Sequence, residues 1–188
     1  MSQSIWIEMR SMGIRRTNGA APIAVVVALV AALVSGCGAM SSIKNGGVAN
    51  PLTPEQSKAQ VIDAAQAIVG VLKLQVIEPA FWHASCNDQG EAPFRGQMTI
   101  GYPQAASFEA SDAEVAQMVQ NLQSIGWTGD PDFQSHGTVL KKDNVVVVFV
   151  PQNASDSTRS IELYGECRDV TTTKDTRGNA ETVTLPSS

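Results

Sequence analysis

The sequence of 188 residues is poor in charged and aromatic side chains, which make up 16% and 5% of it, while 43% of the residues are hydrophobic. This composition is too polar and too varied for a protein with many membrane spans, and too apolar for a chain that is disordered throughout. The 13 basic side chains are outnumbered by 18 acidic ones, which gives a net charge of -5. A negatively charged protein is not drawn to nucleic acid, so we expect no nucleic-acid partner.

The sequence also lacks the short motifs of metal, cofactor and nucleotide sites. The two histidines, His83 and His136, belong to no H-E-x-x-H motif, and no two cysteines form a C-x-x-C pair. Asp130 and Asp132 lack the regular acidic spacing and the terminal glutamate of a calcium-binding EF-hand. There is no G-x-S-x-G elbow and no glycine-rich phosphate loop after a predicted strand. We therefore expect no metal, no cofactor and no catalytic residue.

An enzyme remains the alternative to this expectation. A hydrolase would use either a serine or two carboxylates held at working distance across a cleft. Spacing along the chain does not give that distance, so the alternative stays open at this stage. The acidic residues considered for such a pair are Glu78, Glu91, Glu109 and Asp112.

The N-terminus has the regions of a bacterial lipoprotein signal peptide. Arg10, Arg15 and Arg16 make it positive, and an uncharged, mostly apolar run of fifteen residues follows from 20 to 34. This run is shorter than the roughly 20 residues that a permanent membrane helix needs. The motif V-S-G-C that ends at Cys37 resembles a lipobox, with an aliphatic residue and two small residues before the cysteine.

The lipobox resemblance predicts that residues 1–36 are removed and that Cys37 becomes a diacylglyceryl cysteine. A further fatty acid, such as palmitate, on the new amino terminus would strengthen the attachment, since each buried methylene contributes about 0.8 kcal/mol. The mature protein is then anchored by lipid in the cell membrane, on its extracytoplasmic face. Adjacent Arg15 and Arg16 leave twin-arginine export as an alternative to the general secretory route.

The number of cysteines also supports a location outside the cytoplasm. Three cysteines would leave one unpaired in a secreted protein, but assigning Cys37 to the lipid leaves only Cys86 and Cys167. In an oxidising space we expect these two to form one disulfide bond. The bond is expected to be structural, because neither cysteine has a neighbour in sequence that would favour a redox role.

Composition divides the mature chain into three parts. Residues 37–52 are small, polar and glycine-containing, and are predicted to be the lipidated N-terminus and a flexible tether. Residues 53–170 are enough for a single α+β domain with one core. Residues 171–188 are rich in threonine, serine and charge, and are predicted to be a disordered tail.

Periodicity predicts two helices and four strands in the order α-β-α-β-β-β. Apolar residues recur at helical spacing after Thr53, where Gln56 completes a capping box, and again after Ser111, where Glu114 does so. Short links between strands favour an antiparallel sheet of about four strands with two helices packed on one face. The predicted helices are 54–74 and 111–125, and the predicted strands are 97–102, 138–141, 145–150 and 161–167.

Taken together, the pattern resembles small lipoproteins of mycobacteria, of the LppJ or LppV kind. The shared features are the lipobox, the short tether, the early amphipathic helix, a cysteine before the first predicted strand, an S-x-x-E helix that ends at Ile125-Gly126-Trp127, and a cysteine in the last strand. The likeness covers the whole chain in outline, and the lipobox is its one specific motif. The family has no assigned activity, so the resemblance implies a location and a fold but no reaction.

The aromatic residues are the remaining candidates for a site, because Trp82, Phe94, Trp127 and Phe133 all fall in predicted loops. They either plug the ends of a small core or line a groove for an envelope glycan, lipid or protein segment. We therefore expect a lipid-anchored, non-catalytic binding or assembly module of the cell envelope. The alternatives are an envelope hydrolase and a carrier of an apolar ligand, which would need a cavity of several hundred cubic ångströms between helices and sheet.

Overall fold

The computed structural model describes residues 46–186, which form two helices and a seven-stranded antiparallel sheet. Cys37, the predicted signal peptide and most of the predicted tether lie outside the described residues. In chain order the elements are α1 (Pro54–Leu72), β1 (Ile77–Ser85), β2 (Phe94–Pro103), α2 (Phe108–Gln123), β3 (Thr128–Gly129), β4 (Thr138–Lys142), β5 (Val145–Phe149), β6 (Thr158–Tyr164) and β7 (Glu181–Thr182). Across the sheet the strand order is β3-β4-β5-β6-β2-β1-β7.

The predicted α+β class, with two helices on one face of an antiparallel sheet, is confirmed. The sheet has seven strands rather than about four. The three strands that the sequence does not predict are β1, β3 and β7. β1 contains Pro79, and its pairing with β2 shifts register between Ile77 and Ala80, which breaks the alternation that marks a strand. β3 and β7 are two residues long and too short to show any period.

The capping motifs predict the start of α1 correctly and the start of α2 incorrectly. α1 begins as predicted, because the Thr53 hydroxyl accepts a hydrogen bond from the Gln56 N–H and the Gln56 side chain accepts one from the Thr53 N–H. α2 begins earlier than predicted, with Ser107 as its N-cap and the Ala110 N–H as donor to it. Ser111, the predicted cap, lies inside the helix and is 2% exposed. Ser107 was missed because no glutamate or glutamine follows it at the third helical position.

The sheet has two faces of different character. On β2, Phe94, Met98 and Tyr102 point to the face that the helices cover, which we call the helix face. The alternating residues of β2, including Arg95 and Gln97, point to the opposite face, which we call the helix-free face. All five residues of β5 are buried, so this strand is covered on both sides, as its unbroken apolar run predicts.

The core lies between the helices and the helix face. Neither helix of the described part of the chain has the length and hydropathy that a bilayer crossing requires. Both helices contribute apolar side chains to the same cluster as the sheet, which places them on one side of it. The central members of that cluster are Val61, Ala65, Ile68, Val69, Met98, Ile100, Leu122, Val147, Phe149, Ile161 and Leu163.

The segment from residue 171 to residue 186 packs along the domain, in contrast to the disordered tail that the sequence predicts. β7 pairs with β1, and Leu185 is 8% exposed within the core cluster. The start of the segment is held by the buried carboxylate of Asp169, which accepts hydrogen bonds from the N–H and hydroxyl groups of Thr171 and Thr172. A pattern search misses this segment because its few apolar residues have no helical or strand period.

The predicted disulfide between Cys86 and Cys167 is present, with the two Cα atoms 6.0 Å apart. It joins the residue after β1 to the segment after β6. Close to it, Arg168 donates hydrogen bonds to the carbonyl of Asn50, and the Leu52 N–H donates to the carbonyl of Arg168. The last residues of the predicted tether are therefore attached to the domain beside the disulfide.

Candidate binding site on the helix-free sheet face

One row of side chains crosses the middle of the helix-free face. Strand pairing places Trp82 of β1 opposite Gln97 of β2, and Gln97 opposite Tyr164 of β6. The row continues through Val146 of β5 to Lys141 of β4. Because neighbouring strands lie about 4.8 Å apart, the backbones of Trp82 and Tyr164 are roughly 10 Å from each other. The row thus spaces two large, half-buried aromatic side chains across the helix-free face.

Phe133 covers Tyr164 from above the sheet. It comes from the loop between β3 and β4, and the centroids of the two rings are 5.0 Å apart with a tilt of 49°. The loop is shaped locally by Asp130, whose carboxylate accepts a hydrogen bond from the Asp132 N–H. The same carboxylate lies 3.5 Å from the ammonium group of Lys141 on β4. These contacts hold an otherwise irregular loop so that its phenylalanine packs on the sheet.

Arg95 completes the stack. Its guanidinium carbon lies 4.7 Å from the centroid of the Tyr164 ring, a cation–π distance. Its Nε atom is buried and has no hydrogen-bond partner. Burial lowers the pKa of Arg95, because removal of water disfavours the charged form. Burial also raises the pKa of Tyr164, and the hydrogen bond that its hydroxyl donates to Glu162 acts in the same direction.

These side chains surround a depression of about 410 Å³ on the helix-free face, which we call the Arg95 depression. Its size lies within the range of small-molecule sites. Its wall combines aromatic rings with charged groups of both signs. The lining side chains that carry the argument are Arg95, Asp130, Asp132, Phe133, Lys141 and Tyr164.

Comparison with known proteins places the chain in a family. The family model described as "Putative lipoprotein LppJ" matches residues 53–186. The chain belongs to the LppJ lipoprotein family. A relative with the same description from Mycobacterium bovis is 34% identical over an alignment that covers 79% of this chain and 82% of the relative. Relatives from two strains of Mycobacterium tuberculosis are 33% identical over the same shares. No solved structure matches the chain.

In this member of the LppJ family, the four aromatic residues predicted to line one groove do not lie together. Trp82 and Phe133 are on the helix-free face, as described above. Phe94 is fully buried and points to the helix face, and Trp127 is 4% exposed within the core cluster. As the sequence predicts, Trp127 lies in a loop, directly after the turn that follows α2. Its ring packs at the end of the core and not in a groove.

Arg95 and Tyr164 are members of the site that sequence reasoning missed. Tyr164 falls on the polar side of the predicted strand 161–167, and Arg95 lies just before the predicted strand 97–102, so the sequence marks neither as a site residue. In the structure both occupy strand positions that alternate with buried residues. A usable signal was present, because an arginine and a tyrosine on the polar sides of two strands can stack when those strands are neighbours. Only the pairing of β2 with β6 brings them together.

His83 and Asp169 form the one histidine–carboxylate ion pair among the described residues. The Nδ1 atom of His83 lies 3.9 Å from the carboxylate of Asp169, which is beyond hydrogen-bond distance, and Nδ1 has no partner. The Asp169 carboxylate instead accepts the four hydrogen bonds from Thr171 and Thr172. The carboxylate thus orients a chain segment rather than an imidazole. Within residues 46–186, no group of three or more histidine, cysteine, aspartate and glutamate side chains is placed to hold a metal.

We predict that acid destabilises the domain in two steps. Burial lowers the pKa of His83 below 6.5, and this outweighs the opposing effect of Asp169. Burial alone would raise the pKa of Asp169, but the hydrogen bonds from Thr172 and Thr171 hold it below 3.8. In both cases the unfolded chain binds protons more readily, so the free energy of unfolding falls as the pH drops below about 6.5, and again near and below 3.8. Urea denaturation between pH 8 and pH 3 measures this.

The variant His83→Gln should flatten the first step and keep the second. His136→Gln is the matched control, because His136 is exposed and its replacement should leave the first step in place. A first step that persists unchanged in His83→Gln would contradict the assignment.

A second depression lies between α2 and the strands β4 and β5, and we call it the α2 cleft. Its volume is about 600 Å³. Its apolar side is formed by Val115, Val119, Phe149 and Pro151, while Asp112 and His136 lie among its polar residues. Of the acids considered for a carboxylate pair, Asp112 is therefore in this cleft, whereas Glu91 pairs with Lys174 elsewhere.

Proposed function

We propose that this chain is a lipid-anchored protein of the cell envelope whose domain binds an envelope component without catalysing a reaction. Cys37 carries the lipid and holds the protein on the outer face of the cytoplasmic membrane. The V-S-G-C motif and the description of the LppJ family support the anchor. The disulfide between Cys86 and Cys167 supports an oxidising compartment outside the cytoplasm.

The binding surface is the helix-free face, and the stack of Phe133, Tyr164 and Arg95 is the observation that carries this assignment. Large aromatic side chains and arginine are the residue types that contribute most to recognition sites. Here they surround a depression of about 410 Å³, with Trp82 two strands away on the same face. A domain held on the membrane by its N-terminal lipid could use such a face to hold a neighbouring component of the envelope.

Binding is favoured over hydrolysis by the geometry of the best catalytic pair. A general base needs a partner that orients its imidazole, and the distance of 3.9 Å between His83 and Asp169 leaves the imidazole without that hydrogen bond. An envelope hydrolase remains the alternative only if another pair performs the reaction.

A carrier of an apolar ligand is the second candidate, and the α2 cleft favours it. Its volume of about 600 Å³ and its apolar side suit a ligand of drug-like size. This candidate makes a different prediction about which surface of the domain is occupied in the cell.

Site-directed photo-crosslinking in whole cells tests the proposal. A photoreactive amino acid replaces Gln97, between Trp82 and Tyr164, in the full-length protein. We expect reproducible adducts with one class of envelope component, because this position lies on the binding face. Combining the probe with Trp82→Ala and Phe133→Ala should reduce adduct yield at least about fivefold, and mass spectrometry of the adducts measures it.

Two controls make the result decisive. A probe at Gln120 reports on the α2 cleft, so adducts there and none at Gln97 would overturn the proposed surface in favour of the carrier. Trp127→Ala should lower the melting temperature strongly, because Trp127 is buried in the core, whereas the variant pair at Trp82 and Phe133 should keep the fold.

A further inference from the structure

We propose that the Arg95 depression binds the carboxylate of an acidic sugar, with Arg95 as its counter-ion. This inference deepens the proposed function by naming the chemistry of the ligand, and it rests on the helix-free face being the binding surface. Four features of the structure carry it: the unpaired guanidinium, the charges around it, the aromatic wall, and the position of the depression within the sheet.

The first feature is clearest when Arg95 is compared with Arg159. Both guanidinium groups stack on a tyrosine ring, Arg95 at 4.7 Å from Tyr164 and Arg159 at 4.6 Å from Tyr102. Arg159 is saturated, because it also donates to the Glu114 carboxylate, to the Pro103 carbonyl and to the Ser111 hydroxyl. The Arg95 side chain donates no hydrogen bond to any described residue and forms no ion pair with one, and its Nε is buried.

A partly buried guanidinium without a hydrogen-bonded acceptor costs desolvation energy, and contact with the Tyr164 ring offsets only part of it. Arg95 lines the depression, and its buried Nε has no protein acceptor. A ligand that brings a carboxylate would accept from two guanidinium nitrogens at once, in the geometry that arginine favours. The Arg95 guanidinium therefore matches a single negative group.

The surrounding charges select a monoanion. Lys141 forms an ion pair with Asp130 at 3.5 Å, and Arg168 forms one with Glu166 at 2.9 Å. The charges of these four side chains therefore balance within each pair. Asp132 lies exposed at the rim. Only the charge of Arg95 is left for an anion, and the nearby carboxylates would repel the second charge of a phosphate.

The same carboxylates favour a ligand that is rich in hydroxyl groups. Asp130, Asp132 and Glu166 line the depression and can only accept hydrogen bonds when ionised. Sugar hydroxyls are suitable donors, and the rings of Phe133 and Tyr164 offer apolar faces for the carbon skeleton of a sugar.

The position of the depression argues against an extended peptide. It lies over β2, β6 and β5, each of which is paired with a strand on both sides. The backbone donors and acceptors of these strands are used within the sheet, so a peptide cannot add to it there. Recognition must come from side chains, as it does for a sugar.

NMR titration of the full mature domain with D-glucuronate tests the proposal. D-Glucose is the neutral match, N-acetyl-alanine presents a peptide-like carboxylate, and inorganic phosphate presents a dianion. We expect the Nε–Hε signal of Arg95 to shift with glucuronate, and each of the other three compounds to bind at least about tenfold more weakly. Equal binding of glucose, or tighter binding of N-acetyl-alanine or phosphate, would overturn the assignment of an acidic sugar.

Variants separate a ligand counter-ion from a structural arginine. Arg95→Met should weaken glucuronate binding at least about tenfold and leave the melting temperature unchanged or higher, because it removes an unpaired charge and keeps an apolar contact with Tyr164. Lys174→Gln removes one positive charge from an exposed pair away from the depression and should leave binding unchanged. Unchanged glucuronate binding in Arg95→Met, or a large loss of melting temperature, would overturn the proposal.

The two proposals fail in different ways. If Gln97 crosslinks persist but glucuronate does not bind, the binding surface stands and the ligand class is wrong. If adducts arise only at Gln120 and the Arg95 signal does not move, both proposals are wrong.

Discussion

Replacing Cys37 with alanine is expected to release the protein from the membrane fraction almost completely. Two or three acyl chains, with about 0.8 kcal/mol for each buried methylene, account for the whole of the expected membrane affinity. The acidic composition offers no electrostatic substitute, because the net charge of the chain is -5. Neither helix within residues 46–186 offers a substitute by spanning the bilayer. Detergent phase partitioning of cells that carry Cys37→Ala, with immunoblotting of both phases, measures the effect.

Ser35→Ala is the matched control for this experiment, because it keeps a small residue at its position in the lipobox and should leave the protein in the detergent phase. Intact mass of the mature wild-type protein should show a lipid-modified cysteine at the N-terminus. Wild-type-like partitioning of Cys37→Ala would mean that another part of the chain provides the anchor.

Removal of the disulfide should be the largest stability effect of any change outside the core. In the chain-entropy model, a bond between residues 81 apart in sequence stabilises the fold by about 4 to 5 kcal/mol at 25 °C. We therefore expect the double variant Cys86→Ala with Cys167→Ala to lose about 3 to 5 kcal/mol of unfolding free energy and roughly 10 to 15 °C of melting temperature. Urea denaturation and thermal melts of the oxidised protein measure both.

Reduction provides the internal control for the disulfide. Dithiothreitol should lower the stability of the wild-type protein to that of the double variant and leave the double variant unchanged. A loss of less than about 1 kcal/mol would show that the surrounding contacts, such as those of Arg168 with Asn50, hold this region without the bond.

The periodic parts of the fold were predictable because they depend on neighbours in sequence. The helical spacing after Thr53 and the unbroken valine run of β5 each report burial directly, and the structure confirms both. The cysteine pairing followed from counting, since one cysteine was assigned to lipid. β1 was not predictable, because Pro79 and a shift in register remove the alternation on which strand prediction depends.

The candidate site was predictable only in part, because its members come from distant positions. Trp82 and Phe133 were singled out as aromatic residues in predicted loops, but Phe94 and Trp127 share that property and are buried. Trp82 and Phe94 lie in β1 and β2 rather than in loops, so the prediction of their position was wrong. Whether each of the four aromatic residues joins the core depends on which face of the sheet it lies on. Arg95 and Tyr164 acquire their roles from the pairing of β2 with β6, which is a non-local contact.

Gly96 shows the same limit at a single residue. In the sequence Gly96 lies just before the predicted strand 97–102, but a Cβ atom there would lie 2.5 Å from the carbonyl oxygen of Ser57. The Gly96 N–H donates a hydrogen bond of 2.7 Å to the Ser57 hydroxyl, so α1 approaches β2 with no room for a side chain. The residues next to Gly96 in sequence do not predict this contact, because Ser57 is 39 residues away.

The amino-acid sequence by itself predicts the export signal and the lipid site at Cys37, and both stay predictions. It also predicts the α+β class and the cysteine pairing, which the structure confirms, because each depends on local order or on counting. The tertiary structure alone decided which aromatic residues lie on the helix-free face and that residues 171–186 pack on the domain. It also decided that the Arg95 guanidinium stacks on Tyr164 while its buried Nε has no hydrogen-bond partner among the described residues. These properties depend on strand register and on contacts between residues far apart in the chain. Pairwise contacts of that kind leave no period in a sequence, so only the folded arrangement reveals them.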